Sequence, residues 1–233
     1  MARTVLLTGG TGALGTEVTG RFLDDGHRVA TTWIAEGEIE RLRADLGERE
    51  NLALIHADVT DEASIAAALD EATRALGPID VLVHLVGGWR GGEPVHEHSV
   101  ETWDRMLALN LRTAFLCCRA VLPGMRARDW GRIVLVSART ALRGRGGQAA
   151  YAVAKAGVAV LAETIAEEGR RTGVTANVIA PSTLDTPANR AAMPDADHSR
   201  WVPPADAAAS IAFLASEEAG QLRGGWLPLY GSA

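Results

Sequence analysis

The chain has 233 residues, 47% hydrophobic and 22% charged, which suits one globular α/β domain with a large core. Its formal net charge of −6 argues against nucleic-acid or anionic-membrane partners, because both need a basic face. The uninterrupted apolar runs are short, such as Val81-Leu82-Val83, so no transmembrane helix is expected, and the adjacent Cys117 and Cys118 have neither metal-type spacing nor the makings of a disulfide framework.

Taken in chain order, Thr4-Val5-Leu6-Leu7-Thr8 is the first strand, too short for a signal-peptide core. Further strands are expected near 28–33, 52–57, 80–86, 132–137, 174–180 and 225–230. Several are apolar on consecutive residues, as a parallel sheet covered on both faces requires. Helices are expected between them at about 13–25, 37–46, 61–76, 99–127, 149–170 and 204–215, with Gly26, Gly77, Gly131 and Gly173 punctuating the returns. This order predicts a Rossmann-type three-layer αβα sandwich with a doubly wound, seven-stranded parallel sheet. Residues 1–233 form one unit, and the proline-rich, aperiodic stretch at about 182–203 reads as a lid. The cysteines are read as small buried residues of a cytoplasmic protein.

The first strand runs into Thr8-Gly9-Gly10-Thr11-Gly12-Ala13-Leu14-Gly15 and then a helix. Glycines allow a sharp turn and close approach to a pyrophosphate, and a helix N-terminus offers unpaired N–H groups. Asp58 and Val59 follow the third strand, beside the expected adenine pocket. The second strand ends Thr31-Thr32-Trp33-Ile34, with neither an acid for the ribose of NAD nor a cation for the 2′-phosphate of NADP. Glu36, Glu38, Arg41 and Arg43 come after it, and the reading leans towards NADP.

Tyr151 and Lys155 are spaced to share one helix face. A neighbouring ammonium is expected to lower the phenol's pKa and equip it for proton transfer, while the lysine holds the nicotinamide ribose. Ser137 ends the fifth strand and offers a hydroxyl to a carbonyl oxygen. Asn110 is a polar amide in an apolar helix, placed to anchor a water reaching Lys155.

These residues, in this order, resemble the short-chain dehydrogenase/reductase family over essentially the whole chain. The resemblance implies that Asn110, Ser137, Tyr151 and Lys155 form a catalytic tetrad. It also implies that Gly87, Pro181, Thr183 and Thr186 line the cofactor, together with Gly9, Thr11, Gly12, Ala13, Leu14, Gly15, Trp33, Asp58 and Val59. A dimer or tetramer follows from the same resemblance and from the apolar length of the helices around Asn110 and Tyr151. Three features depart from the family pattern. Ala13 replaces a glycine, His84-Leu85-Val86-Gly87 replaces Asn-Asn-Ala-Gly, and Ser182 replaces the glycine after Pro181.

Two stretches, Gly87–Gly92 and Leu184–Arg190 with Trp201, resemble the dihydropteridine reductase branch and suggest Trp89 as a stacking wall and Asn189 as a substrate contact. Ser137 and the missing acid at the second strand argue instead for reduction of a ketone or oxidation of a secondary alcohol. A dinucleotide-sensing protein without turnover is the alternative from another class. Arg139, Arg143 and Arg145 stand ready for an anionic substrate such as an acyl carrier or coenzyme A. Glu93, His96, Glu97 and His98 are read as a solvated loop, and no metal is expected.

Overall fold

The computed structural model describes residues 1–232. Strands β1 (Thr4–Thr8), β2 (Arg28–Trp33), β3 (Leu52–His56), β4 (Val81–His84), β5 (Gly131–Val136), β6 (Val174–Pro181) and β7 (Trp226–Leu229) form one parallel sheet. Their order is β3-β2-β1-β4-β5-β6-β7. The helices are α1 (Ala13–Asp24), α2 (Glu36–Leu46), α3 (Glu62–Leu76), α4 (Val100–Leu107), α5 (Thr113–Ala127), α6 (Ala149–Glu168), α7 (Pro187–Ala192) and α8 (Pro204–Ala215).

Strand periodicity divides the core into two layers. Val5 and Leu7 of β1 face one side, with Val18 and Phe22 of α1 and Ile211 and Leu214 of α8. Leu6 points the other way, with Ile65 of α3, Val121 of α5 and Val158 of α6. Every residue of β1, β4 and β6 is buried, which is why Val5-Leu6-Leu7 and Val81-Leu82-Val83 read as unbroken apolar runs. The chain winds outward from β1 to β3, then returns to place β4 against the free side of β1. A crevice therefore opens between the carboxyl ends of β1 and β4, where Thr8 lies opposite His84.

The expected helix at 99–127 contains a π turn, Ala108–Arg112, between α4 and α5. The segments Val100–Ala127 and Ala149–Glu168 are long and apolar enough, by length and composition, to cross a bilayer. In these helices the apolarity is spread along the length and not gathered in uninterrupted runs. Both segments are packed on the sheet through Leu116, Val121, Val158 and Ala162. The segment expected to be aperiodic holds α7, started by the Thr186 cap and Pro187, and is drawn together by a bridge between Leu184 and Val202.

Helix α1 sits hard against the glycine loop. A Cβ on Gly15 would lie 2.2 Å from the Gly9 carbonyl oxygen and 2.6 Å from the Gly10 Cα, so only glycine allows this approach. Gly15→Ala is expected to lower the unfolding free energy by roughly 1–3 kcal/mol through overpacking, as read by urea denaturation. Wild-type stability in that variant would show that the loop yields freely.

Candidate active site

The start of α1 suits an anion. Gly12 supplies the N-cap with extended backbone, without a side-chain cap among the described residues, and the first turn carries no acid. Its leading N–H groups are therefore left to a ligand at the carboxyl edge of the sheet. Gly12 and Ala13 are exposed there, while Leu14 packs partly into the core. Thr11 is buried and donates its hydroxyl to Glu38 Oε2 at 3.0 Å.

Beside the loop, Trp33 meets His56 edge-on, with ring centroids 4.7 Å apart. Its buried indole Nε1 has no hydrogen-bond partner among the described residues. Asp58 Oδ1 accepts from the Thr60 N–H at 2.8 Å and hydroxyl at 2.7 Å, and these bonds hold its carboxyl below the usual range. Val59 is buried in the core and has only backbone to offer a ligand. The loop, α1 and this edge thus fit a dinucleotide: a bare helix start, a close backbone approach and a free indole donor.

Four residues from three parts of the fold border the crevice: Asn110 of the π turn, Ser137 just after β5, and Tyr151 and Lys155 of α6. Asn110, fully buried in the π turn, clasps Gly88. Its Nδ2 donates to the Gly88 carbonyl at 3.0 Å and its Oδ1 accepts from the Gly88 N–H at 3.1 Å. Nδ2 also donates to the Met106 carbonyl at 3.0 Å. Gly87 leaves room for this clasp, since a Cβ there would lie 2.7 Å from Asn110 Oδ1 and 3.0 Å from Lys155 Nζ. Lys155 donates from Nζ to the Val136 carbonyl at 2.9 Å and lies 5.9 Å from the Tyr151 ring centroid. Ser137 Oγ donates to the Lys155 backbone carbonyl at 2.7 Å. A serine has one O–H, so this donor is turned into α6 rather than left free for a substrate.

Burial sets the protonation states. It pushes the Tyr151 phenol up to about 12 and the Lys155 ammonium down to about 8. The net shift of Tyr151 is upward, against the lowered value expected beside Lys155, because desolvation of the phenolate dominates.

His84 fills the place of the family's asparagine with a network that sequence reasoning missed. Thr113 Oγ1 donates to the Leu109 carbonyl at 2.7 Å and so accepts from His84 Nε2–H at 3.1 Å. Nδ1 is left to accept from the Thr8 hydroxyl at 2.7 Å. The chain of bonds runs from β1 through β4 into the π turn beside Asn110. Burial, aided by the Lys155 charge, lowers the imidazole to about 3 and keeps it neutral.

Beyond Ser137, Arg139 lies over the Tyr230 ring at 4.8 Å. Together with Leu142, Arg143 and Arg145 they line a cleft of about 350 Å³. Pro181 is buried at the end of β6, and Thr183 holds Val202 through its carbonyl at 2.9 Å. Thr186 Oγ1 accepts from the Asn189 N–H at 3.2 Å. Asn189 itself donates to the Leu184 carbonyl at 2.8 Å, so it braces the lid segment instead of reaching a substrate. Trp89 is 59% exposed. The His98 side chain is only 4% exposed, at 3.4 Å from Glu93, so that loop is not wholly solvated.

The family model for short chain dehydrogenases matches residues 3–197. An acetoacetyl-CoA reductase of Allochromatium vinosum is 35% identical, over 99% of this chain and 98% of that protein. A 2-dehydro-3-deoxy-L-rhamnonate dehydrogenase (NAD(+)) of a Sphingomonas species is 32% identical, over 93% and 89%. Among solved structures, ElxO with NADP bound superposes with a TM-score of 0.93 at 25% identity, covering 99% of this chain and 98% of that one.

The His84 shift predicts a pH effect on stability. The folded value near 3 lies below the ordinary 6.5, so the unfolded chain binds the proton first. The contribution is full above pH 6.5 and is lost as pH falls towards 3. Between pH 7 and 5 the wild type should lose about 2 kcal/mol more unfolding free energy than His84→Asn. Parallel urea titrations at the two pH values would show this, and equal losses would show that another group titrates.

Proposed function

The chain belongs to the short-chain dehydrogenase/reductase family, an NAD(P)-dependent oxidoreductase family, and from that premise we propose that it reduces the keto group of a small anionic substrate. The observation that supports this reading is that Lys155 neighbours all three of the others: the Tyr151 ring, the Ser137 hydroxyl through its own backbone carbonyl, and the Asn110 amide across Gly87. Bound along the glycine loop, the reduced nicotinamide supplies a hydride.

Tyr151 is the general acid. A phenol held near 12 keeps its proton at neutral pH and gives it to the oxygen that gains charge as the carbonyl is reduced. This favours the reductive direction. Lys155 is a positively charged neighbour below about pH 8, stabilising the phenolate left behind, and it anchors the ribose. Ser137 orients the carbonyl after its hydroxyl swings away from the Lys155 backbone oxygen. Asn110 shapes the turn through Gly88 and flanks Gly87 together with Lys155 Nζ. Pro181, Thr183 and Thr186 border the nicotinamide, and the segment 182–203 closes over it as a lid.

The arginines beyond Ser137 support an anionic substrate. Arg143 and Arg145 are exposed and form no ion pair among the described residues. The relatives named above act on a coenzyme A thioester and on a sugar acid, each bearing negative charge. We also read the molecule as a cytoplasmic homo-oligomer. Phe115, 47% exposed, joins Leu107, Ala108 and Leu111 around an open apolar cleft of about 430 Å³ on the outer face of the π turn, which a second copy would cover.

Tyr151→Phe is expected to cut kcat for a ketone by about 10²–10⁴-fold while calorimetric dinucleotide binding persists. Equal rates in the two proteins would remove Tyr151 as the acid. Replacing Arg143 and Arg145 together by alanine should raise KM for acetoacetyl-CoA several-fold more than KM for a neutral ketone. A uniform rise would place the anion elsewhere.

A further inference from the structure

The tip of β2 carries no acid, yet the next helix delivers one. Glu38 stands at the third position of α2 and turns its carboxylate back towards the sheet edge. Its Oε2 accepts from the Thr11 hydroxyl at 3.0 Å and from the Ile34 N–H at 3.3 Å. Thr11 belongs to the glycine loop and Ile34 follows β2, and these segments flank the adenosine ribose in this architecture. From this geometry we infer that Glu38 selects the coenzyme and makes this enzyme prefer NAD(H) over NADP(H).

Three physical points support the assignment. Two donors at this edge, the Thr11 hydroxyl and the Ile34 N–H, are already held by a carboxylate. A phosphate carrying about −1.5 to −2 charge would be repelled there, whereas a ribose hydroxyl would donate to the same oxygens. Among the described residues Glu38 forms no ion pair. Arg43 is drawn to Glu48 at 3.5 Å, and Arg41 is exposed one turn further along α2. A Sphingomonas relative named for NAD(+) and a solved neighbour holding NADP show that the scaffold itself accommodates both forms, which leaves the choice to local side chains.

A plainer role for Glu38 is to cap α2, since a glutamate at this position commonly reaches back to the preceding backbone. The test separates the two roles. Calorimetric titration of the wild type should show NADH bound about tenfold or more tighter than NADPH, the effect of one charge-assisted hydrogen bond. Glu38→Gln keeps an oxygen for the Thr11 and Ile34 donors but removes the charge. It should bind NADPH about tenfold more tightly than the wild type does, weaken NADH, and melt within a few degrees of the wild type. Wild-type protein that binds NADPH as tightly as NADH overturns the inference, and this comparison needs no variant. An unchanged NADH-to-NADPH ratio in a folded Glu38→Gln protein also overturns it and leaves Glu38 as a cap only. Binding of neither dinucleotide would overturn the cleft itself. Loss of ketone reduction with both dinucleotides still bound would touch only the proposed reaction.

Discussion

The imidazole of His84 sits where β1 and β4 part, with Nδ1 on Thr8 and Nε2 on Thr113. Those two strands border the crevice that every proposed site element faces, and Thr113 follows the turn that carries Asn110. The ring must be neutral to accept on one side and donate on the other, and its complete burial keeps it so. One side chain thus joins the floor of the crevice to that turn. A buried polar network of this kind gains its value from being fully satisfied, because each orphaned partner would cost the full desolvation of its polar group.

Burial has opposite consequences for the two ionisable groups of α6. It raises the phenol of Tyr151 and lowers the ammonium of Lys155, so both shifts favour neutral side chains. The lysine compensates with a carbonyl acceptor from β5. The phenol is left as a reluctant acid in a dry setting. Charge developing on a bound substrate is what would draw its proton away, which makes proton transfer conditional on the chemistry next to it.

Much of this architecture was legible in the residues. Unbroken apolar runs such as Val81-Leu82-Val83 marked strands covered on both faces, and the glycine loop after β1 marked the phosphate end of the crevice. The Tyr151–Lys155 spacing placed two groups on one helix face. What escaped depends on where backbone atoms lie. Nothing in the letters shows that the Val136 carbonyl meets Lys155, that the Ser137 donor turns to a backbone oxygen, or that Asn189 braces Leu184. Glu38 was visible after β2, but the bend that returns it to Thr11 was not. The α4–α5 segment was legible as one helix at about 99–127, but its π turn has no compositional signature beyond one polar residue among leucines.

That wider turn has a geometric consequence for the whole helical layer. One extra residue in a turn rotates everything after it by about 100° relative to an unbroken α-helix. The apolar stripes of α4 and α5 are therefore out of phase, and the two halves of one rod address different neighbours: α4 lies along α6, while α5 lies along α3. The phase slip lets one stretch of chain serve as the seam between both halves of the layer, with an amide-bearing residue at the point where the winding changes.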